Sequence, residues 1–400
     1  MRLYTSFLAG SAAITLLTHC ASTRSSSPGE PPTTPEVSEP AKPPTDPSTA
    51  PAPSPTPWGR ARVGDRAVYG FSTNQSPGRL ALPPRALAGR LRVEVTAVQA
   101  PWVWLTISFT DDAGKPLTNP WLARDLTLPV SMETSRPLDV PPQGTESLEQ
   151  LSAAGQQWEA KRYIQDQRPV DGPLNNVLYA VQPGPLYLTR GLLSLSITLS
   201  GFGAAGGTQL TLLEVRQGAT GGTSPAPSLE RPLGPGTWFD FRANIGGNDS
   251  TQRTCFSAER GYLLQTDGPA PTQGAACPSF AEATVSPLEE WLVRLITGAL
   301  ATESWPPATS AIPTRGTRSL QGRTVPVSTT EVPESEGGVR RIRFETYAAD
   351  PWDASLSGLA HEARFRQLTE GVDRVDAKGR RTPQDFTQLV GWGTWVGSAK

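Results

Sequence analysis

Apolar and polar residues alternate along most of this chain. The pattern appears first in 62–72 (RVGDRAVYGFS), 90–98 (RLRVEVTAV) and 102–110 (WVWLTISFT). It returns at 157–165, 175–181, 192–200, 208–215, 237–243, 261–266, 323–332 and 339–348. A period of two, rich in β-branched and aromatic residues, predicts half-buried strands. Turn chemistry separates the runs: Gln99-Ala100-Pro101 joins two of them, and Asp111-Asp112-Ala113-Gly114 follows the third. The expected fold class is mainly β, with a few short helices.

Three segments read as helices. The strongest is 287–300, PLEEWLVRLITGAL, with Ser286 as N-cap, Pro287 at the first helical position and Glu289 completing a capping box. Leu288, Trp291, Leu292, Leu295, Ile296, Ala299 and Leu300 share its apolar face. A second helix is expected over 146–154, ending at Gly155, and a third from Thr382-Pro383, burying Phe386, Leu389 and Val390. The stretch 357–368 fits helix and strand equally.

Two composition breaks divide the chain. Residues 20–57 are rich in Pro, Ser and Thr and nearly free of apolar side chains, so they bury too little surface to offset the entropy of ordering. Residues 218–236, GATGGTSPAPSLERPLGPG, read as a linker. The expected organisation is a signal peptide over 1–19, a tether over 20–57, a β-rich domain over 58–217, the linker, and a second β-rich domain over 237–400. Weak self-similarity between the two halves leaves two readings open, a diverged duplication or the general likeness of β-rich sequences at this length. Tyr69 and Phe241 stand at like positions near the two domain starts, and 177–188 resembles 254–264.

The first twenty residues speak to location. Arg2 precedes the apolar run FLAGSAAITLL, which is too short to span a bilayer core of about 20 residues. The run meets Leu17-Thr18-His19-Cys20, which resembles the lipobox of bacterial lipoprotein precursors, with His19 departing from the small residue usual there. The resemblance implies acylation of Cys20 and cleavage before it. The membrane is then a partner through the N-terminal lipid. By the same resemblance, the absence of Asp beside Cys20 implies sorting to the outer membrane. In layout the mature part resembles uncharacterised bacterial envelope lipoproteins. With Cys20 acylated, Cys255 and Cys277 remain in an oxidising compartment and are expected to form a disulfide.

Charge and motifs exclude several functions. Net charge is −1, which gives no basic face for nucleic acid. Gly201 to Gly206 satisfies G-x-G-x-x-G, but a strand pattern follows where a phosphate site needs a helix N-terminus. With His19 in the signal, His361 is left for triad chemistry or zinc, and neither a second histidine nor a G-x-S-x-G elbow accompanies it. Asp166 and Asp171 form the nearest carboxylate pair for a hydrolase. No cofactor and no metal is expected.

Tryptophan is the remaining anomaly, at eleven residues against two methionines. Trp102 and Trp104 share one strand face, and Trp392 and Trp395 lie close together near the C-terminus. As exposed rings, these four are candidates for stacking on a ligand; as buried ones, they belong to the core. The function expected is a non-enzymatic binding or structural module of the envelope, with a polymer, lipid or protein as partner. The alternatives are a periplasmic carrier of lipid or another apolar ligand, and an envelope hydrolase using carboxylates or His361.

Overall fold

The computed structural model describes residues 56–76, 83–134, 136–138, 140–168, 172–201, 204–219, 236–272, 274, 276–303, 305–307 and 311–395. The expected signal peptide, Cys20, the tether up to residue 55 and most of the linker lie outside the described residues. Residues Pro57–Lys400 form one compact unit.

The unit is built from strands. The first set of nine is β1 (Arg66–Ser76), β2 (Arg85–Gln99), β3 (Trp102–Thr110), β4 (Leu126–Ser131), β5 (Thr145–Ala153), β6 (Gln156–Asp166), β7 (Leu174–Ala180), β8 (Leu192–Gly201) and β9 (Ala204–Arg216). The second set is β10 (Gly236–Ile245), β11 (Asn248–Glu259), β12 (Tyr262–Pro269), β13 (Thr284–Pro287), β14 (Thr314–Leu320), β15 (Arg323–Glu336), β16 (Val339–Ala348), β17 (Thr369–Val375) and β18 (Arg381–Trp395). Between β13 and β14 runs helix α1 (Leu288–Ala301).

Strand pairing is antiparallel throughout each set and follows one plan twice. The first runs β5-β6-β7-β8-β9-β1-β2-β3-β4. The second runs β14-β15-β16-β17-β18-β10-β11-β12-β13. Adding nine to every strand number of the first order gives the second. Each is an up-and-down meander whose first strand also pairs with its ninth, leaving the fourth and fifth strands as edges. A parallel pairing, Glu259 opposite Ser131, links the two sets. Tyr69 on β1 and Phe241 on β10 hold equivalent places in this repeat. The likeness between 177–188 and 254–264 does not follow it, since β7 corresponds to β16 and not to β11.

The segment expected as a helix over 146–154 is β5. Its Glu146 and Glu149 pair across the ladder with Lys161 and Arg162 on β6, each at 2.8 Å. Gly155 does not cap a helix. Ala154 (φ 51°) and Gly155 (φ 72°) form the two-residue hairpin turn into β6, in the left-handed conformation such turns require. The helix expected from Thr382 is β18. Pro383 sits where the register against β17 shifts, a place where a missing N–H costs little. Asp385 accepts the backbone N–H of Gly246 at 2.8 Å. In both cases cross-strand partners override local helix propensity.

The disulfide between Cys255 and Cys277 is present. It ties the loop after β12 back to β11. Beside it, Arg253 donates to both carboxylate oxygens of Asp240 at 2.8 Å and to the carbonyls of Gly274 (3.1 Å) and Ala276 (2.8 Å). It also stacks over Trp238. A buried ion pair depends on the hydrogen bonds around it, and Arg253 makes four here.

Helix α1 decides how the core is shared. It belongs in sequence to the second strand set, yet Leu288, Leu292, Val293, Leu295, Ile296 and Ala299 are buried in one cluster with Tyr69, Leu91, Val93, Leu105, Leu186, Leu195 and Leu212 of the first. Its last carbonyls are also held from there. Asn119 donates to Ala299 O at 2.8 Å and Arg85 to Leu300 O at 2.9 Å, placing a cation at the negative helix end. A smaller cluster around Val325, Ala348, Leu368, Leu389 and Trp392 serves the second set.

Candidate functional site

Buried polar groups normally find partners, so each exception calls for an explanation. Asp65 meets the norm. It is buried, and it accepts from the backbone N–H groups of Arg62 and Gly218 and from the Tyr187 hydroxyl, each at 2.8 Å. Glu289 does not. It lies in the first turn of α1 with no exposed side-chain surface. One oxygen, Oε1, accepts from the Tyr179 hydroxyl at 3.0 Å and lies 3.5 Å from Arg190 Nη1. The other, Oε2, is buried with no hydrogen-bond partner.

Backbone conformation places Arg190 there. It follows the 3-10 helix Gly184–Thr189 in the left-handed region, at φ 56°. Its guanidinium donates to Val140 O at 2.9 Å and lies over the rings of Tyr179 and Tyr262. Burial pushes the Glu289 carboxyl up to about 7, against the opposing pull of Arg190. The Tyr179 phenol is raised too, first by burial and then by the carboxylate beside it. The expected capping box is therefore not formed. The cap position is Pro287, without a side-chain bond, and Glu289 points inward. The buried face of α1 includes Glu289 and Val293, which leaves Trp291 at its margin.

A second group of orphans lies against the same helix. Trp121 is buried, with its ring against Gly298 of α1, where an added Cβ would come within 3.2 Å of it. Trp121 Nε1 has no partner, and neither does either ring nitrogen of His361, although all three atoms are buried. His361 opens a one-turn helix (His361–Arg364). Its ring centroid lies 4.4 Å from Trp121, 5.6 Å from Trp352 and 5.3 Å from Phe365. Burial, with Arg364 nearby, pushes its imidazole down to about 3, so it is neutral at physiological pH. Trp352 Nε1 donates to Pro120 O at 2.7 Å, and Trp291 of α1 donates to Glu362 at 2.8 Å. Both strand sets and α1 thus contribute to one aromatic cluster.

The residues singled out in the sequence lie elsewhere or play other parts. Trp104 is 1% exposed and Trp392 2% exposed, so both are core residues and neither offers a face to a ligand in solution. Trp392 Nε1 donates to Ser357 O at 3.1 Å, and Trp104 Nε1 is a further buried orphan. Trp102 is half-buried at the start of β3, and Trp395 ends β18 opposite Gly236. Asp166 is exposed and bound by Arg168, which draws its carboxyl down to about 2. Asp171 lies outside the described residues. The structure thus surrounds His361 with aromatic rings and pairs Asp166 with an arginine. Among the described residues no three His, Cys, Asp or Glu side chains are grouped to hold a metal ion. Sequence reading missed Glu289, Arg190, Tyr179, Trp121 and Trp352 as site residues. The one available signal was a charged residue beside the apolar face of a helix.

A family of unknown function (DUF6068) matches residues 4–400. No curated protein matches the chain. Among solved structures, a protein of unknown function from the DUF3598 family of Nostoc punctiforme is 12% identical, with 80% of this chain and 93% of that one covered, at a TM-score of 0.15. Kievitone hydratase from Nectria haematococca is 10% identical, with 87% and 95% covered, at a TM-score of 0.12. Scores this low carry no argument about fold or activity.

Proposed function

As this chain belongs to DUF6068, a family of unknown function, we propose a role from its sequence and geometry: a non-enzymatic binding module of the cell envelope, anchored through lipid on Cys20. One observation carries the binding part. Glu289 Oε2, Trp121 Nε1 and both nitrogens of His361 are buried and unpartnered along one helix. Each such group costs about 1–3 kcal/mol. They stand among aromatic rings, which suits a small molecule with an apolar body and one or two hydrogen-bonding groups.

Native mass spectrometry of the full chain taken from membranes tests this. A bound molecule of discrete mass, with lower occupancy in Glu289→Gln and His361→Phe, is the expected result. The bare lipidated polypeptide, or conversion of the bound molecule by the protein, overturns it. For the anchor, Cys20→Ala is expected to release the chain from membranes and remove the acyl mass. Retention at the membrane overturns that part.

A second reading, a carrier of a lipid or other apolar ligand, is favoured by the position of α1. The apolar face of the first sheet already packs around an apolar body, helix α1 of the second strand set. On this reading dodecane raises the melting temperature of Leu292→Ala more than that of the wild type. Equal or absent shifts argue against it.

A further inference from the structure

The repeat leaves corresponding edges in the two strand sets, and their charges are opposite. β5 and β14 are the fifth strands of their sets, and among the described residues each pairs on one side only, with β6 and with β15. Among the described residues, neither strand makes a backbone hydrogen bond outside its hairpin. Residues 145–150 of β5 and 314–319 of β14 are largely exposed. Unpaired edges of this kind are templates for strand addition.

β5 reads Thr-Glu-Ser-Leu-Glu-Gln from Thr145, and β14 reads Thr-Arg-Gly-Thr-Arg-Ser from Thr314. Glu146 and Glu149 have the same spacing as Arg315 and Arg318. Antiparallel pairing of 145–150 with 314–319 sets Glu146 opposite Arg318 and Glu149 opposite Arg315. Opposite charges facing across a ladder stabilise it, and like charges do the reverse. The same register sets Leu148, 63% exposed, opposite Gly316, where an added Cβ would meet nothing within 4 Å. The leucine gains cover there without a clash. A parallel pairing also matches the charges, but it sets Leu148 against Thr317 and forms the less stable ladder. Glu146 and Glu149 already pair with Lys161 and Arg162, and a carboxylate has lone pairs for a second cation. Arg315 is exposed. Arg318 donates to Thr369 through Nη1.

We infer that β5 of one copy adds to β14 of another, joining copies of this chain head to tail by an antiparallel strand pair. The two symmetric alternatives are disfavoured by the same charges. β5 against β5 brings Glu146 to Glu149, and β14 against β14 brings Arg315 to Arg318. A contact between two different edges continues as a ring or an open chain rather than stopping at a two-fold dimer.

The test is light scattering of the full chain in detergent over a concentration series. The wild type is expected to gain mass with concentration. Glu146→Arg/Glu149→Arg and Arg315→Glu/Arg318→Glu are each expected to weaken association at least ten-fold. Mixing these two variants restores opposite charges at both contacts, so the mixture is expected to associate again. The mixture also shows whether the variants are folded, because misfolded chains do not complement one another. A wild type that stays monomeric, unchanged association in either variant, or failure of the mixture to recover overturns the inference.

Discussion

At the residue scale, two buried titratable side chains pull stability in opposite directions with pH. Glu289 is raised to about 7 in the fold from an ordinary value near 4.5, so the unfolded chain releases its proton first. Its contribution is complete below pH 4.5 and is lost as pH rises to 7, by about 1.4 kcal/mol per unit. His361 is lowered from 6.5 to about 3. Its contribution is complete above pH 6.5 and is lost on acidification toward 3, at about the same slope before solvent screening. Between pH 4.5 and 6.5 the two slopes oppose each other and largely cancel. Glu289→Gln is therefore expected to make stability climb with pH in that window, and His361→Phe to make it fall, as read from urea melts at half-unit intervals. Parallel curves for both variants and the wild type would refute the assignment. In sequence Glu289 looked like a capping residue because Ser286 stands three positions before it. Its inward turn depends on Tyr179 and Arg190, which are distant in sequence.

At the scale of the element, α1 was legible and its surroundings were not. The spacing of Leu288, Leu292, Leu295 and Ala299 predicts a helix with a buried stripe, and α1 runs over Leu288–Ala301. Which sheet receives the stripe is a tertiary matter, and it is the first strand set rather than the helix's own. Leu292→Ala is expected to cost about 2–5 kcal/mol. It should shift the unfolding of both strand sets together, which tryptophan fluorescence and far-UV circular dichroism would report as coincident transitions. β5 and β18 show the opposite case. Their composition suits a helix, and their strand state comes from partners on β6, β10 and β17.

At the scale of the whole molecule, the shared core of α1 makes residues 57–400 one compact unit despite the internal repeat. Replacing Cys255 and Cys277 together by Ala is expected to lower stability by about 3 kcal/mol on the chain-entropy account, with the transition still single. Separate transitions for the two strand sets would contradict the shared core. The sequence by itself determined the β class, most of the strands, the helix and the disulfide pairing. The first three follow from side-chain period and helix spacing, which are local properties, and the pairing follows from the lipobox resemblance that sets Cys20 apart. Only the tertiary structure decided that the chain repeats one nine-strand plan, that Trp104 and Trp392 are core, and that Trp121 packs between α1 and His361. Those outcomes depend on which distant surfaces bury each other, and local periodicity carries no record of that choice.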